Sequence, residues 1–211
     1  MSTDSKQVFI YVGPHRSGST FLQTHVFPHI QSVCSMYSRD PNCNYMVLDA
    51  MDKHPLFVDV EAEKKRIIDR FKGIKENKIL LSDEEFFGDY GRYNSDGTYI
   101  AQPFHDHSYR AKFLDQMFKG AKVFLTPRRQ DLWVESSYMH FIHQFHTISI
   151  DEFLNPGHPR FSVRSRKPAC DASVLDWGAY VRNYQQIFGK ENVLVIPHEM
   201  LLKDPNGALD R

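Results

Sequence analysis

The sequence predicts an α/β fold in three layers, a central parallel sheet flanked by helices. Four short apolar runs rich in β-branched residues, Val8–Val12, Lys78–Leu81, Lys122–Thr126 and Asn192–Ile196, read as buried strands. Helical patterns separate these runs, as crossovers between parallel strands require. The first run leads straight into a glycine-containing turn, Gly13-Pro14-His15-Arg16-Ser17-Gly18-Ser19-Thr20, and from there into a helix. A chain of 211 residues is long enough for one domain with a substantial core, expected to span residues 1–211.

The remaining elements follow in order. Thr20–Ile30 reads as the helix after the turn, with Phe21, Leu22, Val26 and Ile30 inward. Val60–Lys75 and Tyr109–Lys119 read as crossover helices, the second stopping near Gly120. Gln130–Phe145 is a further helix, and Ser173–Phe188 a long one closed by Gly189. Gly88–Asp106 and Asn155–Asp171 fit neither period; connections of that length serve as lids or binding loops. Asp204-Pro205-Asn206-Gly207-Ala208-Leu209 looks like the start of another helix, so the chain reads either as a short member of its type or as a fragment lacking C-terminal helices.

Charge narrows the partners. Lys+Arg and Asp+Glu both number 26, which argues against a nucleic-acid binder working by bulk electrostatics. Cys34, Cys43 and Cys170 show no C-x-x-C spacing, so neither a disulfide framework nor a zinc knuckle is expected, although a Cys34–Cys43 bridge stays open. The N-terminus has no apolar core of signal-peptide length, and no segment approaches a membrane span. A cytoplasmic protein without a membrane partner is expected.

The turn has the spacing of a phosphate-cradling P-loop, G-x-x-x-x-G-K-[ST], with Ser19 standing where the lysine belongs. A strand, a glycine turn and a helix in succession aim several backbone N–H groups at one point, which suits a phosphate or a sulfate. The long cation is Arg16, inside the turn itself. Such a loop is suited to an anionic nucleotide but not to ordinary ATP hydrolysis.

A second constellation is Lys122-Val-Phe-Leu-Thr-Pro-Arg128-Arg129-Gln130-Asp131, followed by Ser136, Ser137 and Tyr138. Two arginines sit at the carboxyl edge of a strand, where ligands of open parallel sheets bind. Eight residues separate Arg128 from Ser136, so a strand-end arginine and a helical serine can converge on one anion. The plainer reading has both arginines on the surface, pairing with Asp131 or Glu135.

Together, G-P-x-R-S-G-S-T-F-L after the first strand and R-R-Q-D-x-x-x-E-S-x-Y after a later one resemble the sulfotransferases that use 3′-phosphoadenosine 5′-phosphosulfate (PAPS), closest in style to the bacterial and carbohydrate-modifying types. The passage Phe188-Gly-Lys-Glu-Asn-Val-Leu-Val-Ile-Pro-His-Glu199-Met-Leu-Leu-Lys-Asp204-Pro205 extends the resemblance, which implies a P-loop NTPase-like fold. It further implies that Arg16 falls where the family has its loop Lys or Arg, while His15, Ser17, Gly18, Ser19 and Thr20 complete a cradle for the 5′-phosphosulfate. Arg128 and Ser136 fall on the pair that grips the 3′-phosphate. The products would be 3′-phosphoadenosine 5′-phosphate (PAP) and a sulfated acceptor, with no metal expected.

Sulfuryl transfer needs positioning, charge stabilisation on the leaving oxygens and a base for the acceptor. Glu84, in Ser82-Asp83-Glu84-Glu85, is the leading base, since the resembled types carry S-x-E at the end of this strand. The same acids also suit the first turn of a short helix. His105 and His107 are the reserve candidates.

His140, His143 and His146 have a spacing that invites a metal reading, but the first and last lie about 240° apart on an ideal helix. Arg160, Arg164, Arg166 and Lys167 form a basic run, read as a solvated loop or as an attractor for an acidic or glycan acceptor. Two alternatives stand beside the main reading. One is a P-loop kinase or ATPase with Asp83 holding magnesium; the other is a module that binds nucleotide without catalysis.

Overall fold

The computed structural model describes residues 6–37, 44–52, 58–88, 92–93, 99–100, 107–144, 149–154 and 175–203. The strands are β1 (Gln7–Tyr11), β2 (Val33–Tyr37), β3 (Lys78–Ser82), β4 (Arg92–Tyr93), β5 (Tyr99–Ile100), β6 (Lys122–Leu125) and β7 (Val193–Val195). The helices are α1 (Ser19–Phe21), α2 (Asn44–Asp52), α3 (Val60–Phe71), α4 (His107–Met117), α5 (Gln130–Gln144), α6 (Ile150–Leu154), α7 (Trp177–Phe188) and α8 (His198–Lys203).

Five strands form one parallel sheet in the order β2-β3-β1-β6-β7, with helices against it. The expected α/β architecture is therefore present. β1 alternates with period two: Val8, Ile10 and Val12 enter the larger core, with Ile67, Phe71, Leu114 and Trp133. Tyr11 enters a smaller one on the other face, with Leu22, Phe27 and Leu201. Burial on both faces explains why the central strands read as continuous apolar runs.

Register decides where chemistry can assemble. Tyr11 is level with Ser82 on β3 and with Phe124 on β6. The segments leaving β1, β3 and β6 therefore emerge side by side at one carboxyl edge, and the glycine turn lies between the other two.

Several elements depart from the sequence reading. The helix expected over Thr20–Ile30 begins at Ser19 but is α-helical only through Phe21. A π turn follows over Leu22–Val26, with the Phe27 N–H donating to the Leu22 carbonyl, then a 3-10 turn over Phe27–His29. Pro28 explains the change, because it lacks an N–H for the helical ladder and its ring crowds the carbonyl one turn back. The helix expected from Ser173 starts at Trp177, where the Asp176 carboxylate accepts the Ala179 N–H at 2.8 Å as an N-cap.

Strand β2 was not anticipated. Its sequence, Val-Cys-Ser-Met-Tyr, carries a weak pattern because it is a half-buried edge strand. The stretch Gly88–Asp106 includes the short antiparallel pair β4–β5. Asn155–Asp171, the helix start at Asp204–Leu209, Cys43 and Cys170 lie outside the described residues; Cys34 is in β2. Among the described residues no helix is long and apolar enough to cross a membrane.

Candidate functional site

The turn after β1 is held from behind by side chains on distant elements. Tyr180 Oη donates to the Val12 carbonyl at 3.0 Å, and Trp133 Nε1 to the His15 carbonyl at 2.7 Å. Arg128 Nη1 donates to the Arg16 carbonyl at 2.7 Å, and Thr126 Oγ1 to the Ser17 carbonyl at 3.3 Å. In a planar trans peptide the N–H points opposite to the C=O. Drawing the carbonyls of His15 and Ser17 into the protein therefore turns the N–H groups of Arg16 and Gly18 toward the open side. The Ser17 N–H is used within the turn, on the Pro14 carbonyl at 3.1 Å.

Two residues of the turn adopt left-handed backbone. Gly18, at φ 90, caps α1 without a side-chain hydrogen bond. Arg16, at φ 66, carries a Cβ in a region that disfavours one. Contacts at both ends hold it there: Arg128 takes its carbonyl, and its own Nε donates to Ser136 Oγ at 3.1 Å. Arg16, Arg128 and Ser136 are thus brought together, although the loop lies 112 and 120 residues from its partners.

The two adjacent arginines separate. Arg128 turns to the loop, whereas exposed Arg129 forms a two-pronged pair with Asp131, at 2.7 and 2.8 Å. That guanidinium, by hydrogen bond foremost, holds the Asp131 carboxyl down at about 2. The plain surface reading therefore describes Arg129 and not Arg128. The Trp177 indole N–H donates to the Arg128 carbonyl at 2.6 Å. Its ring meets Trp133 edge to face at 5.9 Å, so a pair of indoles underpins both arms of the site.

Ser17 and Ser19 are buried, His15 is half-buried and Thr20 is exposed. Among the described residues, buried Ser17 Oγ and buried Arg128 Nε have no hydrogen-bond partner. Buried polar atoms left open at a loop of outward amides fit an anionic group, phosphate or sulfate.

Glu84 opens a 3-10 turn, Glu84–Phe86, directly after β3. Asp83, fully buried, caps that turn by accepting the Glu85 N–H at 2.9 Å. The acids thus do build a helical turn, as the plainer reading required, and Glu84 leaves β3 at the same carboxyl edge at which neighbouring β1 ends. One of its oxygens, Oε2, is buried and without a hydrogen bond among the described residues. Its charge reaches Tyr11, whose hydroxyl is pushed up mainly by burial and further by Glu84, against a hydrogen bond to Thr126. Gln23 Nε2 donates to Ser82 Oγ at 3.0 Å, tying the segment after α1 to the end of β3. His105 and His146 lie outside the described residues; His107 opens α4.

Sequence reasoning attached no role to His198. It opens α8, is buried, and lies over Gly18, where a methyl group would meet its Cδ2 at 2.9 Å. Burial, then the positive charge of Arg128, lowers its pKa, so the ring is neutral at pH 7. A signal was available: Pro197-His198-Glu199 leaves a strand at the same carboxyl edge that singled out Arg128. Trp133, Trp177, Thr126 and Tyr180 carried no such signal, since their role is to hold backbone carbonyls from the core side.

No family model matches the sequence, and no curated protein matches it. Among solved structures, the fold is similar to the crystal structure of a sulfotransferase from Alicyclobacillus acidocaldarius. The TM-score is 0.63 at 18% identity, over 96% of this chain and 77% of that one. That likeness establishes the fold.

Proposed function

We propose that this chain is a PAPS-dependent sulfotransferase acting on a hydroxyl or amine acceptor, a carbohydrate or a small molecule. The observation that carries this reading is the meeting of Arg16, Arg128 and Ser136 at a glycine turn whose lysine position holds Ser19. Such a site offers two guanidinium groups and a hydroxyl to an anion with more than one phosphate end. The solved sulfotransferase of similar fold supports it.

The donor, when bound, supplies the sulfuryl group. Arg16 and the outward amides hold the 5′ end and stabilise the charge that builds on the leaving oxygen. Arg128 and Ser136 grip the 3′-phosphate, and its oxygens take over the hydrogen bond that Arg16 and Ser136 otherwise make to each other. Glu84 accepts the acceptor's proton through its open carboxylate oxygen. The reading includes one domain, a cytoplasmic location, and a nucleotide donor and an acceptor as partners, with neither nucleic acid nor membrane among them.

Two measurements test it. PAP at about millimolar concentration, without magnesium, should raise the melting temperature by roughly 5–10 °C, as a ligand at a hundred times its Kd does for a chain of this size. Glu84→Gln should lower sulfate transfer from labelled PAPS by about 10²- to 10⁴-fold and leave PAP affinity unchanged. An unmoved melting temperature would remove the donor assignment. Full transfer by the glutamine variant would send the search for a base to His105 and His107.

A further inference from the structure

Helix α5 presents a stripe to the glycine turn. Trp133, Ser136, His140 and His143 fall within about 80° of one another around an ideal helix. The first two fix the direction of that stripe, because Trp133 bonds the His15 carbonyl and Ser136 accepts from Arg16. His140 lies one turn beyond Ser136, about 6 Å along the axis, and is half-buried; His143 is exposed.

Among the described residues, the titratable groups acting on His140 are Arg16 and His15 from the turn and His143 from its own helix, and each disfavours its protonated form. Burial, followed by those three, lowers its pKa below the ordinary histidine value. The imidazole is therefore neutral in the free protein at pH 7, next to a site that gathers positive charge. A dianion held at Ser136 reverses the sign of that field.

We propose that His140 is a third contact for the phosphate gripped by Arg128 and Ser136, and that it takes up a proton from solvent as that phosphate binds. The proposal rests on the donor reading given above. The sign follows from linkage: the pKa is lowered in the free protein, and a bound phosphate raises it, so affinity rises as pH falls through the interval between the two values. His140 then makes the site selective for a nucleotide with a second phosphate over one without it.

Calorimetry of PAP binding at about pH 7, in buffers of different ionisation enthalpy, counts the protons taken up. The wild type should take up a substantial fraction of a proton, and His140→Gln close to none. Affinity of the variant should be about tenfold weaker near pH 6 and equal near pH 8.5. AMP, which lacks the 3′-phosphate, should show no His140-dependent uptake. Histidine resonances of the wild type, with His140 assigned from the variant, should show its pKa raised by PAP.

Equal uptake in wild type and variant, or the same uptake with AMP, would overturn the proposal while leaving PAP as the ligand. Absence of PAP binding at every pH would instead remove the donor reading, and this one with it.

Discussion

Arg128→Ala is expected to weaken PAP binding by about 10²- to 10³-fold. A hydrogen bond to a charged group contributes about 1.5–3 kcal/mol, and on the proposed reading this side chain serves both the loop and the 3′-phosphate. Its Nη1 holds the Arg16 carbonyl at 2.7 Å, while its Nε is buried and open. Truncation would then remove the proposed phosphate contact and also release the Arg16 carbonyl that helps to hold its left-handed conformation. Arg128→Lys should recover only part of the loss, because an ammonium is a point charge and cannot serve the carbonyl and the phosphate as a planar fork does. Calorimetry checks both variants; Arg128→Ala binding PAP within threefold of wild type would show that the 3′-phosphate is held elsewhere.

Gly13→Ala should carry the largest cost in stability. A methyl group there would sit 2.0 Å from Tyr11 Oη, 2.4 Å from Tyr11 Cζ and 2.8 Å from Thr126 Oγ1. Neither neighbour can easily yield, since both are fully buried and their hydroxyls are joined at 2.7 Å. Overpacking of this kind costs about 3 kcal/mol or more, a fall in melting temperature of roughly 6–12 °C for a chain of this length. A double-mutant cycle with Tyr11→Leu isolates the cause, because the shorter side chain removes the atoms that the methyl group strikes. The alanine should cost much less in that background; an equal cost in both would place the strain elsewhere in the turn.

The legibility of the chain follows the range of its interactions. The central strands and crossover helices could be read because their periods are local and both sheet faces are covered, so the apolar runs are long. β2 was missed as an edge strand, with one side out of the sheet and a mixed composition. The π turn has no pattern of its own, because the apolar spacing over Thr20–Ile30 reads as one helix while Pro28 breaks the hydrogen-bond ladder. At the site, loop spacing and the Arg128–Ser136 interval were legible, as was the acidic turn with Glu84. His198 had a positional signal, whereas the tyrosine and tryptophan anchors had none.

By itself the sequence determined the parallel sheet, the glycine turn that ends its central strand, and the residue types at three carboxyl ends. Those follow from periodicity, from the dihedral freedom of glycine and from spacing, all of which act within a few residues. Only the tertiary structure decided which of two neighbouring arginines turns to the loop, and that Arg16 reaches Ser136. It also decided that His198 covers Gly18 and that the His140 stripe faces the turn. Each depends on hydrogen bonds and packing between segments as much as 120 residues apart, and the direction of a side chain leaving a strand is settled by those distant partners.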